Sequence, residues 1–237
     1  ALKTLDINND DIDDLLVGAP FSNTPYLSKA GIVYGYFGAN GKLEEQYDII
    51  FYGRERESRF GSSISGGYIN NDKNTDVVIG AYYADKVYFY DGLTDIKPVN
   101  NTPTKIFSGS LAGSWFGFAL DTGDINGDSY EEIAISSFSY KGDKESAKIS
   151  IFNGGKSLNT DMPDTIIDDS LDETLLGASV MLEDLNGDNK SEIIVGAPGV
   201  SLLNNAPAGD VYIIYSNSEQ QKYYSINNKN VDSVIYG

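Results

Sequence analysis

Residues 184–198, which read DLNGDNKSEIIVGAP, decide the fold: oxygen-bearing side chains at alternate positions precede a short apolar run and a Gly-Ala-Pro ending. The template recurs at residues 6–20 (DINNDDIDDLLVGAP), 68–81 (YINNDKNTDVVIGA) and 124–137 (DINGDSYEEIAISS). The copies begin about 60 residues apart, and a recurring period of this size is typical of a repeat architecture. One repeating unit should therefore account for essentially the whole chain.

Each repeat is expected to contain four short strands, and the last three have recognisable β-strand patterns. The apolar run after each acidic loop is followed by a run of aromatic and aliphatic residues, a pattern that favours buried strands. These second runs lie at residues 32–37, 87–90, 149–152 and 211–215. A further short segment closes each unit, at residues 49–53, 105–109, 165–169 and 233–237. Convincing helical periodicity is missing throughout, so the sequence predicts an all-β protein.

Four short strands per unit are the content of one β-propeller blade, and radial packing of blades protects their sheet edges. The predicted fold is a single β-propeller region over residues 1–237, built of four-stranded antiparallel blades. Its approximate blades are residues 1–53, 60–109, 116–169 and 176–237. The repeat register continues past both ends of the chain, so we expect further blades from the same or another chain.

The charge balance narrows the range of partners. Acidic residues outnumber basic ones 35 to 17, and the resulting net charge of −18 disfavours nucleic acid and anionic membrane surfaces while favouring cations. The chain has neither Cys nor His, which excludes disulfides, Ser-His-Asp hydrolysis and His-based zinc chemistry. No apolar run approaches the ~20 residues of a membrane span, so we expect no membrane insertion by this segment.

The acidic loops have the donor spacing of calcium sites. With the first loop residue as position one, side-chain oxygens fall at positions one, three, five and nine, and position seven varies as a backbone-carbonyl ligand can. The predicted ligands are Asp6, Asn8, Asp10, Ile12 and Asp14; Asp124, Asn126, Asp128, Tyr130 and Glu132; and Asp184, Asn186, Asp188, Lys190 and Glu192. The sequence thus predicts about three Ca²⁺ ions.

Other interpretations of these loops compete with a calcium site. An EF-hand needs a bidentate Glu at position twelve and flanking helices, whereas position twelve here lies in a strand, so that reading is excluded. A plain Asx-rich turn, whose side chains only cap backbone groups, stays open for any one loop, and three copies with the same spacing favour metal. Mg²⁺ fits less well because it keeps water and a stricter octahedron.

The second copy departs from the pattern. Tyr68 stands where the other loops have an acid at position one. The remaining donors are Asn70, Asp72, Asn74 and Asp76. With only two carboxylates, this site is expected to be weak or empty, and a plain turn is the favoured interpretation.

Two short signatures frame the acidic loops. Phe-Gly comes before the loop at Phe60-Gly61 and Phe116-Gly117, and Gly-Ala-Pro comes after it at residues 18–20 and 196–198. The departures are Leu176-Gly177, Gly80-Ala81-Tyr82 and Ser136-Ser137. This order of signatures resembles FG-GAP repeats, as in the propeller of integrin α subunits, and the resemblance covers essentially the whole chain. It implies a seven-bladed ring, of which these would be four blades, with calcium between the first and second strands of a blade.

Strand alternation places the calcium loops on one face and the second-to-third strand loops and blade connections on the other. In the family this opposite face binds ligands. Its candidate contact residues are Phe21, Tyr26, Arg54, Arg56, Tyr82, Tyr83, Trp115, Phe138 and Tyr140. Exposed aromatics with Arg suit protein or glycan contacts, although any of these rings could instead pack between blades. Trp115 is the strongest single candidate.

Two functions are consistent with these features. The favoured hypothesis is a non-catalytic, calcium-binding module at the cell surface or outside the cell, which mediates adhesion or recognises a protein or glycan. The alternative is an accessory or catalytic propeller of a secreted hydrolase or lyase, because phospholipase D enzymes specific for glycolipid anchors and some carbohydrate-active proteins resemble this pattern. A purely architectural spacer is not separated from the first hypothesis by sequence.

Overall fold

The computed structural model describes residues 1–38, 46–92, 102–137, 147–169, 174–199, 201–202, 206–216, 222–226 and 231–236. Four antiparallel sheets in these ranges are arranged as a four-bladed β-propeller, which confirms the predicted fold class. The helical structure in the same ranges includes a short 3-10 turn at Tyr82–Ala84. Among the described residues, no helix has the length and apolar composition that a membrane crossing requires.

The first two blades each pair their strands in chain order. The first blade comprises β1 (Leu2–Leu5), β2 (Asp14–Ala19), β3 (Ile32–Tyr36) and β4 (Ile49–Tyr52). The second comprises β5 (Ile64–Gly67), β6 (Asp76–Ala81), β7 (Lys86–Tyr90) and β8 (Lys105–Ser108).

The third and fourth blades repeat the arrangement with additions. The third comprises β9 (Leu120–Gly123), β10 (Glu132–Ser137), β11 (Lys148–Phe152) and β12 (Thr165–Asp168). The fourth comprises β13 (Ser179–Glu183), β14 (Glu192–Ala197), β17 (Asp210–Ile214) and β19 (Ser233–Tyr236), and the small pair β15 (Ser201–Leu202) and β16 (Ala206–Pro207) lies between β14 and β17 in sequence. Each predicted acidic loop therefore joins the first and second strands of a blade.

One strand falls outside the repeating pattern. Segment β18 (Tyr223–Ser225) comes from the connection between β17 and β19 of the fourth blade, yet it pairs in parallel with β12 of the third blade. The pairing is supported by burial, because Tyr224 and Ile226 are both buried in the apolar core between these two blades. The fourth blade thus covers part of the outer edge of the third, which a strictly repeated template does not predict.

Apolar cores fill the spaces between consecutive blades. Rings pack edge to face across these spaces, with Phe51 4.9 Å from Tyr90 between the first two blades and Phe107 4.8 Å from Phe152 between the next two. Every residue of β6 and β10 is buried. Strands buried on both faces explain why these segments read as continuous apolar runs rather than as alternating ones.

The Phe-Gly and Gly-Ala signatures meet at the blade junctions. A Cβ on Gly18 of the first blade would lie 2.1 Å from the carbonyl oxygen of Gly61, the Phe-Gly glycine of the second blade. Gly61 itself has φ of +86°, a conformation that residues with a Cβ rarely adopt. The preceding ring, Phe60, is fully buried. The two signatures therefore mark one close backbone contact between neighbouring blades.

Side chains on the outward faces of the first and fourth blades are more exposed to solvent than those in the strands of the middle blades. Leu15 and Val17 of β2 are only half-buried, and so are Val211 and Ile213 of β17. In the fourth blade, Ile235 of β19 is 58% exposed. The expectation that further blades complete a larger ring stays a prediction, and these two faces are where such blades would pack.

Candidate metal loops and recognition face

The three predicted calcium loops wind in the same way. At position one, Asp184 accepts hydrogen bonds from the N–H groups of Gly187 and Asn189 at 2.6 and 2.8 Å. At positions three and five, Asn186 accepts from the Asp188 N–H at 2.8 Å and Asp188 accepts from the Lys190 N–H at 2.9 Å. Residues 124–132 repeat all four bonds. Residues 6–14 repeat three of them, and there the position-one Asp6 accepts from the N–H groups of positions five and six. The side chains therefore hold each loop in a tight coil around one centre.

Position seven stays a predicted backbone-carbonyl ligand. The side chains at this position differ in exposure: Ile12 is exposed, whereas Tyr130 and Lys190 are half-buried. In each loop, the N–H of this residue donates to the position-five carboxylate at 2.9 Å. Varied side chains on a common backbone geometry are compatible with a carbonyl ligand at this position.

The position-nine carboxylates are buried at the base of the loops. Asp14, Glu132 and Glu192 are all fully buried. The carboxylate of Glu132 accepts from the Ile125 N–H at 2.7 Å and from the Gly154 N–H at 3.4 Å. Burial is the largest influence on this group and raises the pKa of Glu132 to about 7, against the lowering effect of the hydrogen bond from Ile125.

The second loop gathers carboxylates in a different way. Asp72, Asp76 and Asp91 place one carboxylate oxygen each within 4.8 Å of one another, and they form the group of three acidic side chains that meets this distance among the described residues. Asp91 directly follows β7, and Gly92 donates its N–H to Asp76 at 2.9 Å. Tyr68, at position one, is exposed.

Asp91 was missed by reasoning on the acidic loop alone. Its signal in the sequence is an acid placed directly after the Val87–Tyr90 run, where the third strand returns to the loop face. Burial, the largest influence, and the charges of Asp72 and Asp91 together raise the pKa of Asp76 to about 7, against the lowering effect of the hydrogen bonds from Gly92 and Asn70. A third carboxylate thus stands near the loop that lacks an acid at position one.

The donor chemistry of the predicted loops fits a hard cation. Each loop offers carboxylate and amide oxygens from one short segment, and Ca²⁺ takes about 6–8 such oxygens. Neighbouring loops also touch: Asn9 donates to Asn74 at 3.3 Å, and Ser191 donates its N–H to the Asp124 carbonyl at 2.7 Å. An ion held in one loop would therefore also brace the blade beside it.

The opposite face carries a cluster of aromatic rings. The Tyr82 ring packs edge to face against Tyr83, Trp115 and Phe118 at centroid distances of 5.3, 5.5 and 5.4 Å. The Trp115 ring lies nearly parallel to Tyr83, at 24° and 6.2 Å, and to Phe118, at 17° and 6.1 Å. Trp115 is half-buried within this cluster, whereas Tyr83 is 54% exposed.

The remaining predicted residues of this face that the structure describes lie outside this cluster of rings. Phe21, Tyr26, Arg54 and Arg56 are all exposed. Phe138 and Tyr140 lie outside the described residues. Sequence reasoning missed Arg59, whose guanidinium carbon lies 4.4 Å from the centroid of the Phe21 ring and 5.5 Å from that of Tyr83. Its signal was its position directly before Phe60-Gly61, which Trp115 occupies in the next blade.

Repeated blades with wound acidic loops on one face define a β-propeller built from FG-GAP repeats. Comparison with known families supports this class, because the FG-GAP repeat matches residues 2–36 and 176–214. The chain carries FG-GAP repeats and is distantly homologous, over part of its length, to integrin α subunits and to phosphatidylinositol-glycan-specific phospholipase D.

The similarity to individual proteins is partial. Integrin alpha-8 of Gallus gallus is 33% identical over 148 residues, covering 56% of this chain and 14% of the integrin. Phosphatidylinositol-glycan-specific phospholipase D of Bos taurus is 27% identical over 220 residues, covering 84% of this chain and 26% of the enzyme. The crystal structure of the V. cholerae biofilm matrix protein Bap1 aligns with all of this chain and 38% of that one, at 17% identity and a TM-score of 0.40. The chain thus spans a minor part of each relative.

Proposed function

We propose that this chain is a non-catalytic, calcium-stabilised recognition propeller that works at the cell surface or outside the cell. About three Ca²⁺ ions would be held by the loops of the first, third and fourth blades, and a protein or glycan ligand would bind the opposite face. The observation that carries the proposal is the common winding of these three loops, each around the same spacing of oxygen donors. Calcium sites of extracellular modules bind at about 10⁻⁴–10⁻³ M, which suits millimolar calcium outside cells.

The ions would have a structural task. Asp14, Glu132 and Glu192 are buried carboxylates near other acids of the same loop, and such groups repel one another without a cation between them. Each loop joins the first two strands of its blade, so an ion there would fix the hairpin at the base of the sheet. Contacts between neighbouring loops would pass this order around the array.

The recognition role is supported by the composition of the opposite face. Trp, Tyr and Arg are the residue types that dominate binding energy at interfaces, and here Tyr82, Tyr83, Trp115 and Arg59 lie together on loops from consecutive blades. The loops that carry them are anchored by the blades, which holds the rings in place before a ligand arrives. Such preorganisation reduces the entropy lost on binding.

A second candidate function rests on one observation, the similarity to phosphatidylinositol-glycan-specific phospholipase D over 84% of this chain. In that case the propeller would serve a secreted hydrolase or lyase. The chain has no His, and the carboxylates grouped among the described residues lie at the acidic loops, so this candidate places the catalytic residues outside this region. Release of a glycolipid-anchored protein from vesicles by the full-length protein would favour this candidate.

Chelation and one aromatic substitution test the favoured proposal together. Removing calcium with EGTA should lower the melting temperature by many degrees, Ca²⁺ should restore it, and Mg²⁺ at the same concentration should not. Trp115→Ala should weaken binding in a panel of extracellular proteins and glycans while the melting temperature holds, with Trp115→Phe as the matched control. An unchanged melting temperature in EGTA would contradict the calcium assignment, and loss of stability in Trp115→Ala would show that the ring serves the core.

A further inference from the structure

The arginines of this chain are concentrated in one place. All three lie in the connection between the first and second blades, at Arg54, Arg56 and Arg59, within a chain of net charge −18. This connection runs on the face opposite the acidic loops, next to the aromatic cluster. Residues 54–59 also contain Glu55 and Glu57, so this stretch has a net charge of +1, which contrasts with the acidic chain as a whole and can attract an anion.

Arg59 is held between two aromatic rings. Its guanidinium carbon lies 4.4 Å from the centroid of Phe21 and 5.5 Å from that of Tyr83, distances at which a cation is attracted to the ring faces. Phe21 is 69% exposed and comes from the loop between β2 and β3. The Tyr83 N–H donates to the Ser58 carbonyl at 3.2 Å, which ties the ring to the arginine loop. We call Phe21, Arg59 and Tyr83 the arginine clamp.

Arg59 has no acidic partner among the described residues, whose ion pairs are Lys3 with Asp121 and Lys86 with Glu55. Its Nη1 atom is shielded from solvent and has no hydrogen-bond partner, so a ligand would have to reach the other donors of the guanidinium. Arg59 as a whole is half-buried, and a carboxylate that accepted from one of those donors would form a charge-assisted hydrogen bond.

We propose that the arginine clamp binds the carboxylate of a uronic-acid unit in an acidic polysaccharide. This inference rests on the proposed function and names the ligand class of the recognition face. A uronic acid carries its carboxylate beside the flat C–H face of the sugar ring. One unit can therefore pair with the guanidinium of Arg59 while its C–H face packs on the exposed ring of Tyr83 or Phe21.

The arrangement of rings favours a sugar polymer over an acidic peptide. An Asp or Glu side chain brings the charge but no flat apolar face to occupy the rings on either side of Arg59. Beyond Tyr83, the nearly parallel ring of Trp115 lies at 6.2 Å, so the aromatic surface continues away from the charge. A polysaccharide can follow such a surface with successive units. Arg56, three residues before Arg59 in sequence, is exposed.

Binding of polygalacturonate oligomers to the calcium-loaded protein tests the proposal. The fully methyl-esterified oligomer is the matched probe without charge, and a poly-glutamate peptide of similar charge is the matched probe without sugar rings. We expect the acidic oligomer to bind more tightly than both. Arg59→Gln should weaken that binding about tenfold, because it removes a charge-assisted hydrogen bond. Tyr83→Ala should weaken it too, and Arg59→Lys should recover only part of it because lysine cannot pair bidentately with a carboxylate.

The control is Lys156→Gln, which removes one exposed positive charge from the face of the acidic loops. It should leave binding unchanged. An unaltered affinity in both Arg59→Gln and Tyr83→Ala, as expected if calcium merely bridges the polymer to the acidic loops, would overturn the proposal. Equal binding of the ester, or equal and Arg59-dependent binding of poly-glutamate, would overturn it as well. Melting curves of every variant serve as the check that the fold is intact. Since calcium stabilisation is measured separately, failure here leaves the wider recognition proposal standing on its own test.

Discussion

The ammonium group of Lys3 in β1 lies 3.1 Å from the carboxylate of Asp121 in β9, so a side chain of the first blade reaches the third. The same carboxylate accepts from the Ser65 hydroxyl of β5 at 2.9 Å and from the Leu182 N–H of β13 at 3.0 Å. One acidic side chain of the third blade is thus bonded to the first strands of the other three blades. This arrangement gives Asp121 a role in blade assembly that its sequence position does not reveal.

Asp121→Ala is expected to destabilise the fold by about 1–3 kcal/mol, because it leaves the Leu182 N–H without an acceptor and leaves the Ser65 hydroxyl with Thr122 alone as a partner. Lys3→Ala should cost less than about 1 kcal/mol, since the ion pair is partly exposed and Asp121 keeps its two other partners. Equilibrium unfolding in urea measures both values, and the double variant gives the coupling between them. Equal losses in the two single variants would show that Asp121 acts only through the ion pair.

Gly18→Ala is expected to disturb the junction between the first two blades. The added Cβ would lie 2.1 Å from the Gly61 carbonyl oxygen, and backbone cannot move aside as a flexible side chain can. Overpacking of this kind costs about 1–3 kcal/mol or more. Gly113→Ala is the control. Gly113 has φ of +79° and nothing lies within 4 Å of an added Cβ, so this variant measures the cost of a left-handed backbone conformation without a steric contact. The melting temperature should fall further for Gly18→Ala; a larger fall for Gly113→Ala would contradict the close-contact explanation.

The repeating features could be predicted from the sequence because each depends on local chemistry that recurs. Alternating oxygens wind a loop, and paired glycines permit a close approach, whichever blade they belong to. Arg59, Asp91 and the strand β18 could not be predicted in this way. Each acquires its role through a contact that is not repeated: Arg59 with the loop of the preceding blade, Asp91 with the acidic loop of its own blade, and β18 with the edge of β12.

The second loop offers a gain-of-site test. Tyr68→Asp restores the acid at position one, and Tyr68 is exposed, so the substitution should not disturb the core. Calcium titration by calorimetry should then give about four ions in place of about three, because the new carboxylate joins Asp72 and Asp76 in the winding shared by the other loops. Tyr68→Asn supplies an oxygen without charge and should bind more weakly. A stoichiometry of about four in the unaltered protein would show that Asp91 already completes this site.

The effect of pH on stability should depend on whether calcium is bound. Burial raises the pKa of Asp76 and of Glu132 to about 7, so in the metal-free fold both carboxyls hold a proton that they would release when unfolded. Their stabilising contribution is complete below the pKa values of the unfolded chain and is lost as the pH rises through about 7.

Protein freed of calcium on a chelating resin should therefore melt at a lower temperature at pH 8 than at pH 5.5. Ca²⁺ binds the ionised carboxylates and competes with protons, so its stabilisation should grow over the same interval, and the gap between the two melting curves should widen. Glu132→Gln removes one of the titrating groups and should flatten the metal-free curve while it weakens the calcium effect. Melting curves that run parallel with and without calcium would show that these carboxylates neither titrate nor bind the ion in this range.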